Sequence, residues 1–358
     1  MSNAEPLKLA ARLAAEEQLP REELICLIAC RDEEVRSALR TAAEAVRKKY
    51  YGTDVYIRGL IEISNYCRND CLYCGIRRSN AAVQRYRLTK EEILACCEIG
   101  YELGFRTFVL QGGEDGGYTD AFLEDLILEQ KRRYPDCAVT LSLGERSRES
   151  YERLRAAGAD RYLLRQEAAD PVLYGRLHPR EMSLENRIRC LWDLKEIGYQ
   201  VGCGFMVGAP GQTPEHIAAD LEFMKKLKPQ MIGIGPYVPH RDTPFAGEPA
   251  GSLEQTLMLL SVLRLMFPSV LLPATTALGT IAKNGRELGI CSGANVVMPN
   301  LSPQYAKDKY MLYNNKLRSG AEAAEGLAML RQSMEAVGYQ IVTDRGDCAG
   351  WTNGEETN

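Results

Sequence analysis

Cys67-Arg68-Asn69-Asp70-Cys71-Leu72-Tyr73-Cys74 sets three thiols in a C-x3-C-x2-C spacing, directly after an apolar strand-like run. Thiolates are soft metal ligands, and three on one short loop can wrap one face of an iron–sulfur cubane. A [4Fe–4S] cubane normally takes four cysteines. None of the other cysteines lies nearby in sequence, so the fourth iron is expected to stay open. Structural zinc is the competing reading. Zinc wants four closed ligands, usually as two separated pairs, and His178, His216 and His240 are all remote in sequence. Cys26, Cys30, Cys96, Cys97, Cys137, Cys190, Cys203, Cys291 and Cys348 sit among apolar or helical neighbours and are expected to be core thiols.

Other residues could serve such a centre. Gln111-Gly112-Gly113-Glu114-Asp115 follows the second strand-like run, and glycines there allow a close backbone approach. An ordinary strand-to-helix turn would read the same way. The fourth run ends Tyr162-Leu163-Leu164-Arg165-Gln166-Glu167. A cation and an anion at the C-terminal end of a barrel strand stand where active sites of that fold lie. Arg187 follows on a helix, and its planar fork can take two carboxylate oxygens, although a solvated helix face is the plainer alternative. Gly202-Cys203-Gly204 lies inside a strand run and lacks the G-x-G-x-x-G spacing of a nucleotide loop.

The elements that must hold these residues alternate. Residues 5–50 read as helices. Eight β-like runs follow: Val55–Ile63, Thr107–Gln111, Val139–Leu143, Tyr162–Arg165, Gln200–Val207, Met231–Ile234, Val270–Thr276 and Val296–Met298. Helix starts stand between most of them. Thr89 to Glu92 spells a capping box, Thr119, Ser183 and Ser252 are N-cap residues, and Thr213-Pro214 puts proline at the first helical position. Arg148–Ala156 and Gly279–Leu288 support only short helices, and Ala321–Val337 reads as a tail helix. Eight alternations predict an α/β fold with a complete (βα)8 TIM-type barrel, an open doubly wound sheet being the alternative. The expected division is an N-terminal helical extension over 1–52, the barrel over 53–300 and a C-terminal helical extension over 301–358.

Composition sets outer bounds. The chain has 358 residues, 45% apolar and 26% charged, with a net charge of −4. That is globular composition, without the basic excess of a nucleic-acid binder. No run of about 18 apolar residues predicts a membrane span, and the first residues lack a signal-peptide pattern. Twelve cysteines are too few for a disulfide scaffold. A cytoplasmic, reducing location is expected.

The C-x3-C-x2-C spacing with an aromatic before its last cysteine resembles the radical S-adenosylmethionine (SAM) superfamily. The segments 67–87, 110–115, 139–145, 157–179, 206–213, 233–244, 273–280 and 293–300, in that order, resemble the HydE family of [FeFe]-hydrogenase maturases, close to biotin synthase and methylornithine synthase. The resemblance spans about residues 20–317. It implies that Cys67, Cys71 and Cys74 hold one [4Fe–4S] cluster whose open iron binds SAM. It implies cofactor contacts from Tyr73, Gln111, Gly112, Gly113, Glu114, Ser142, Arg165, Glu167, Arg187 and Tyr310. It implies a substrate cavity lined by Thr140, Met231, Thr275, Thr276, Met298 and Tyr313, for an organometallic iron–cysteine complex or another small molecule. Other hydrogenase maturases are the implied partners, with no nucleic acid and no membrane. Some relatives carry a second cluster on cysteines just after the Tyr-x-x-Tyr segment. Here Tyr310-Met311-Leu312-Tyr313 has no cysteine after it until Cys348, so no second C-terminal cluster is expected. Biotin synthase also holds a further cluster inside its barrel, and only Cys203 is a candidate there. Two alternatives stay open: a methylornithine synthase-like mutase, and a non-catalytic iron–sulfur or zinc protein.

Overall fold

The computed structural model describes residues 4–317 and 326–352. Three helices lead the chain: α1 (Ala4–Ala14), α2 (Arg21–Ala29) and α3 (Glu33–Tyr51). Asp32 caps α3 by accepting from the Glu34 amide at 2.8 Å. Val35, Leu39 and Ala43 recur every fourth residue on its buried face.

The strands are β1 (Asp54–Ile57), β2 (Gly59–Ser64), β3 (Thr107–Gly112), β4 (Ala138–Ser142), β5 (Arg161–Leu163), β6 (Gln200–Cys203), β7 (Met206–Val207), β8 (Met231–Ile232), β9 (Gly235–Pro236), β10 (Val296–Val297) and β11 (Gln340–Val342). Between and after them run α4 (Lys90–Glu102), α5 (Asp120–Arg133), α6 (Arg148–Ala156), α7 (Pro171–Leu177), α8 (Leu184–Glu196), α9 (Pro214–Leu227), α10 (Leu253–Met266), α11 (Thr276–Ile281), α12 (Gly285–Cys291), α13 (Gln304–Lys309) and α14 (Leu327–Ala336). The caps read from sequence are made. Thr89 and Glu92 exchange capping bonds with each other's amides, and Thr119, Ser183 and Ser252 each accept from an amide three residues on. The expected tail helix is present as α14 from Leu327 to Ala336, and residues 321–325 of that expectation lie outside the described residues.

The fold is α/β on a parallel sheet. Six strands pair in the order β2-β3-β4-β5-β6-β8, three in the order β10-β1-β11, and β7 pairs with β9. Isolated parallel bridges join Met231 to Leu271, Pro273 to Val296 and Leu60 to Asn300. The seventh expected run, Val270–Thr276, is thus only two bridge residues. Pro273 has no amide to donate, and Thr276 already belongs to α11. The fifth run splits into β6 and β7, while the sixth keeps only β8, with β9 lying just past its expected end. Gly204 causes one break: its φ is +151°, and a Cβ there would lie 2.0 Å from the Gly233 carbonyl oxygen. The hydrogen-bonded sheet therefore stops short of a continuous eight-stranded ring.

Register separates two faces. Ile61, Leu110, Leu141, Tyr162 and Val201 align across neighbouring strands and are fully buried in the core. The alternate face aligns Leu60, Val109, Thr140, Arg161 and Gln200, and one layer further on Glu62, Gln111 and Ser142. Polar residues on that inner face are where a barrel would ordinarily place Val, Ile and Leu. The core-thiol expectation holds for Cys96, Cys97, Cys137, Cys190, Cys203 and Cys348, which are buried. It fails for Cys26, which is exposed, and for Cys30 and Cys291, which are half-buried, since helix position rather than residue type sets exposure there.

The segment around Arg345 and Asp347 packs under the sheet. Arg161 donates to Thr107 Oγ1 (2.9 Å), to the Arg345 carbonyl (2.9 Å) and to Asp347 Oδ1 (2.5 Å). Gln200 and Arg345 also bond Asp347. Burial raises the Asp347 carboxyl, but Arg161, Gln200 and Arg345 outweigh it and hold the group well below the usual carboxylate range. A carboxyl depressed by folding stabilises above its unfolded value of about 3.9, and that stability is lost as pH falls below it. Asp347→Ala strands a buried guanidinium and is expected to cost about 3–5 kcal/mol. It should also flatten the acid limb of stability. Chemical unfolding at pH 7 and pH 3.5 checks both; equal stability of variant and parent at pH 7 would refute the assignment.

Candidate active site

The Cys67–Cys74 loop leaves β2 and is held at many points. The Arg68 amide donates to the Glu114 carbonyl (3.0 Å), Leu72 to Leu177 (3.0 Å) and Gly75 to Leu312 (2.9 Å). Arg85 donates to the carbonyls of Asn65 (2.5 Å), Ile76 (2.8 Å) and Arg77 (2.6 Å). Asp70 accepts from Arg77 Nε (2.9 Å) and from the Ser79 amide (3.0 Å) and hydroxyl (2.7 Å). Cys71 Sγ lies 3.8 Å from Met182 Sδ. The three thiols are half-buried, and burial pushes each up, Cys74 to about 12, with the other sulfurs adding to the effect at Cys71 and Cys74. Metal binding would draw off those protons. Among the described residues no three His, Cys, Asp or Glu side chains converge on a single ion.

Tyr73, between the last two cysteines, donates its hydroxyl to His178 Nε2 at 3.3 Å. His178 Nδ1 is 2.9 Å from the Tyr174 carbonyl, and the imidazole stacks on the Tyr174 ring at 4.0 Å. Burial drives His178 down to about 3, so Nδ1 carries the only proton and Nε2 accepts.

Gly113 packs against the loop: a Cβ there would sit 2.2 Å from the Tyr66 carbonyl oxygen and 2.7 Å from Cys67 Cβ. Glycine at 113 thus lets the backbone lie against the cysteine loop, whereas a Cβ at Gly112 would come no nearer than 3.3 Å to the Ser64 carbonyl oxygen. The Glu114 carboxylate turns elsewhere. It accepts from Arg68 Nε (2.9 Å) and the Glu145 amide (2.9 Å). Gly144, at φ +76°, leaves the room for it.

The cation–anion pair at the end of the fourth run is made. Arg165 donates Nε to Glu167 Oε1 (2.8 Å) and Nη2 to Oε2 (3.0 Å). Arg187 lies against the same turn, with Nη1 on the Arg165 carbonyl (2.6 Å) and Nε on Glu145 Oε1 (2.6 Å). Gln111 Nε2 reaches the Tyr310 hydroxyl at 3.4 Å, and Ser142 aligns with Gln111 on the same face.

Deeper on the inner face the hydroxyls of Thr140 and Thr275 are buried without a hydrogen-bond partner. Gly235 keeps the space beside Thr275 open, since a Cβ there would lie 2.6 Å from Thr275 Oγ1. Met231 Sδ accepts from Arg58 Nη1 (3.0 Å), and Met231 and Met298 pack in one small cluster with Leu271 and Val296. Tyr313 pairs with Thr280, and burial lifts its phenol above the ordinary value. Thr276 sits apart from these strands, in the first turn of α11.

Sequence reasoning missed several participants. Glu62, fully buried, pairs with Lys316, which also donates to the Tyr310 carbonyl at 2.9 Å. Glu62 and Arg58 are charges inside an otherwise apolar strand run, which is the signal that could have found them. Glu145 was visible within a matched segment, but its bond to Arg187 joins residues 42 apart.

The residues fit the cofactors their types suggest. Three thiols share a braced loop, glycines hold the neighbouring backbone close, and orphaned hydroxyls face a polar interior. No helix among the described residues is long and apolar enough to cross a membrane. The chain matches the radical SAM superfamily over residues 61–224. It is 46% identical over 300 residues to the [FeFe] hydrogenase maturase subunit HydE of Thermotoga maritima, covering 84% of this chain and 85% of that one. It is 32% identical over 304 residues to 3-methylornithine synthase of Methanosarcina barkeri, covering 84% and 85%. The crystal structure of methylornithine synthase (PylB) superposes with a TM-score of 0.82 at 28% identity, covering 93% of this chain and 97% of that one. A braced three-thiol loop, a glycine-lined approach and an Arg–Glu pair at a strand end, on a chain so similar to these enzymes, place it among the radical SAM enzymes, as a member of the HydE family of [FeFe]-hydrogenase maturases.

Proposed function

We propose that this chain cleaves SAM reductively and acts on a small organometallic iron–cysteine complex during assembly of the [FeFe]-hydrogenase active site. The observation that carries the reading is the Cys67–Cys74 loop standing at one end of a polar inner face, beside the Arg165–Glu167 pair. Cys67, Cys71 and Cys74 would hold one [4Fe–4S] cluster, and we propose no second cluster. When bound, the cluster supplies one electron that breaks a C–S bond of SAM and yields a 5′-deoxyadenosyl radical.

The chain's own residues position and shield. Arg165, Glu167 and Arg187 offer a cation fork and an acid to the amino-acid and ribose groups of SAM. Gln111, Ser142, Tyr310 and the Gly112-Gly113-Glu114 backbone flank the same space, and Tyr73 is pinned by His178. Thr140 and Thr275 would donate to an anionic substrate, with Thr276, Met231, Met298 and Tyr313 around it. A closed interior protects a reactive species from water. The sheet would close as a complete (βα)8 barrel, with the bridges at Leu271, Pro273 and Asn300 as the joins. The domain division at about residues 52 and 300 follows from that reading. We further propose a cytoplasmic setting, with other hydrogenase maturases as partners that pass on an unstable substrate, and no nucleic acid or membrane.

The methylornithine synthase reading is second, at 32% identity against 46% over similar lengths. The test is anaerobic cluster reconstitution followed by dithionite and SAM. The expected result is 5′-deoxyadenosine, increased by an iron–cysteine carbonyl cyanide complex and not by free amino acids. Formation of 5′-deoxyadenosine stimulated by a free amino acid alone would favour the mutase, and its complete absence would overturn both.

A further inference from the structure

Gln166 turns away from its neighbours. Arg165 and Glu167 pair with each other, while the Gln166 side chain is fully buried toward α9. Its Nε2 donates to Asp220 Oδ1 (2.9 Å), and its Oε1 accepts from the Gly204 amide (2.8 Å). Asp220 Oδ1 also accepts from the Ala169 amide (2.8 Å). One carboxylate oxygen thus brackets the turn from both sides of Glu167. The Gly204 carbonyl completes the bracket by accepting from the Glu167 amide (3.1 Å).

Within that bracket Glu167 takes φ +63°. The left-handed region is unfavourable for a residue with a long side chain and persists only where surroundings impose it. Relaxed to an extended or right-handed φ, the chain would carry the Glu167 carboxylate away from Arg165. Asp220 is wholly buried, and its Oδ2 has no hydrogen-bond partner. Burial pushes its carboxyl up to about 7.

We propose that Asp220 is a positioning residue for SAM: through Gln166 and the Ala169 amide it imposes the turn that lays Arg165 and Glu167 side by side. The inference rests on the reading that Arg165 and Glu167 contact SAM. Asp220 itself is wholly buried and would act only through those bonds.

SAM affinity, measured by equilibrium dialysis on the oxidised, cluster-loaded holoenzyme where no turnover occurs, tests this. Asp220→Ala and Gln166→Leu are each expected to weaken SAM binding about 2- to 30-fold, the range for residues acting through others. Iron content should stay at the parent level. The double variant should be no weaker than the weaker single, because both remove one unit. Asp220→Asn keeps an acceptor oxygen and should restore most of the affinity. Parent-like affinity in Asp220→Ala, additive losses in the double variant, or an Asn variant as weak as the Ala variant would each overturn the proposal. If Asp220→Ala does not fold, Gln166→Leu decides: parent-like affinity overturns, and a loss of affinity at parent-level iron content supports. Arg165→Ala separates the two layers. If it binds SAM normally, the underlying contact reading fails; if it loses SAM while Asp220→Ala and Gln166→Leu do not, the positioning inference alone fails.

Discussion

Cys71→Ala is expected to reduce 5′-deoxyadenosine formation to background. Each thiolate would anchor one iron, so removing one leaves two donors for a cubane that needs at least three from the protein. Cys67→Ala and Cys74→Ala should behave alike, and iron per chain should fall with activity. The fold itself should survive, because Asp70, Arg77, Ser79 and Arg85 brace the loop, while the Cys71 sulfur meets Met182 Sδ at 3.8 Å and the Tyr73 hydroxyl. Far-ultraviolet circular dichroism and iron analysis on each variant separate loss of cluster from loss of fold. A fully active variant at any of the three positions would break the cluster assignment.

Arg165→Ala should weaken SAM binding by roughly 30-fold or more, because it leaves the buried, hydrogen-bonded Glu167 carboxylate without its half-buried cation. The Glu167 carboxylate is nearly inaccessible, and Arg165 gives it two bonds at 2.8 and 3.0 Å. Without the guanidinium, that carboxylate faces the site uncompensated and repels the carboxylate of SAM. Arg165→Lys should recover only part of the affinity, since an ammonium cannot form the two-toothed contact. Iron content should be unaltered, because Arg165 is not a ligand. Equal SAM affinity in parent and Arg165→Ala would remove Arg165 from the contact set.

Much of this architecture is legible in sequence because local rules dominate it. Helix starts at Thr89, Thr119, Ser183 and Ser252 rest on one side chain reaching one nearby amide, and each was readable. The short helix over Arg148–Ala156 appears with those bounds. The strand after α10 was less legible. Val270–Thr276 has strand-like composition, but tertiary geometry leaves it two bridges and gives Thr276 to a helix. The breaks near Gly204 and Gly233 arise from two backbones passing within contact distance, which composition does not encode. Around the site, the groups read from spacing lie together, and several groups joined only through the fold were not read. The thiols and the Arg165–Glu167 pair are close in sequence. Glu62 meets Lys316 across 254 positions, and Gln166 meets Asp220 across 54. Arg187 was expected to reach a carboxylate, and it does, but the carboxylate is Glu145.

The contact between Arg161 and Asp347 has a bearing on how the chain is made. Asp347 emerges from the ribosome 186 residues after Arg161. At about 5–20 residues per second, that interval is roughly 10–40 s. Throughout it the nascent chain carries a guanidinium destined for a dry interior but still lacking its counter-ion, so that stretch should stay hydrated and open to chaperones until Asp347 emerges.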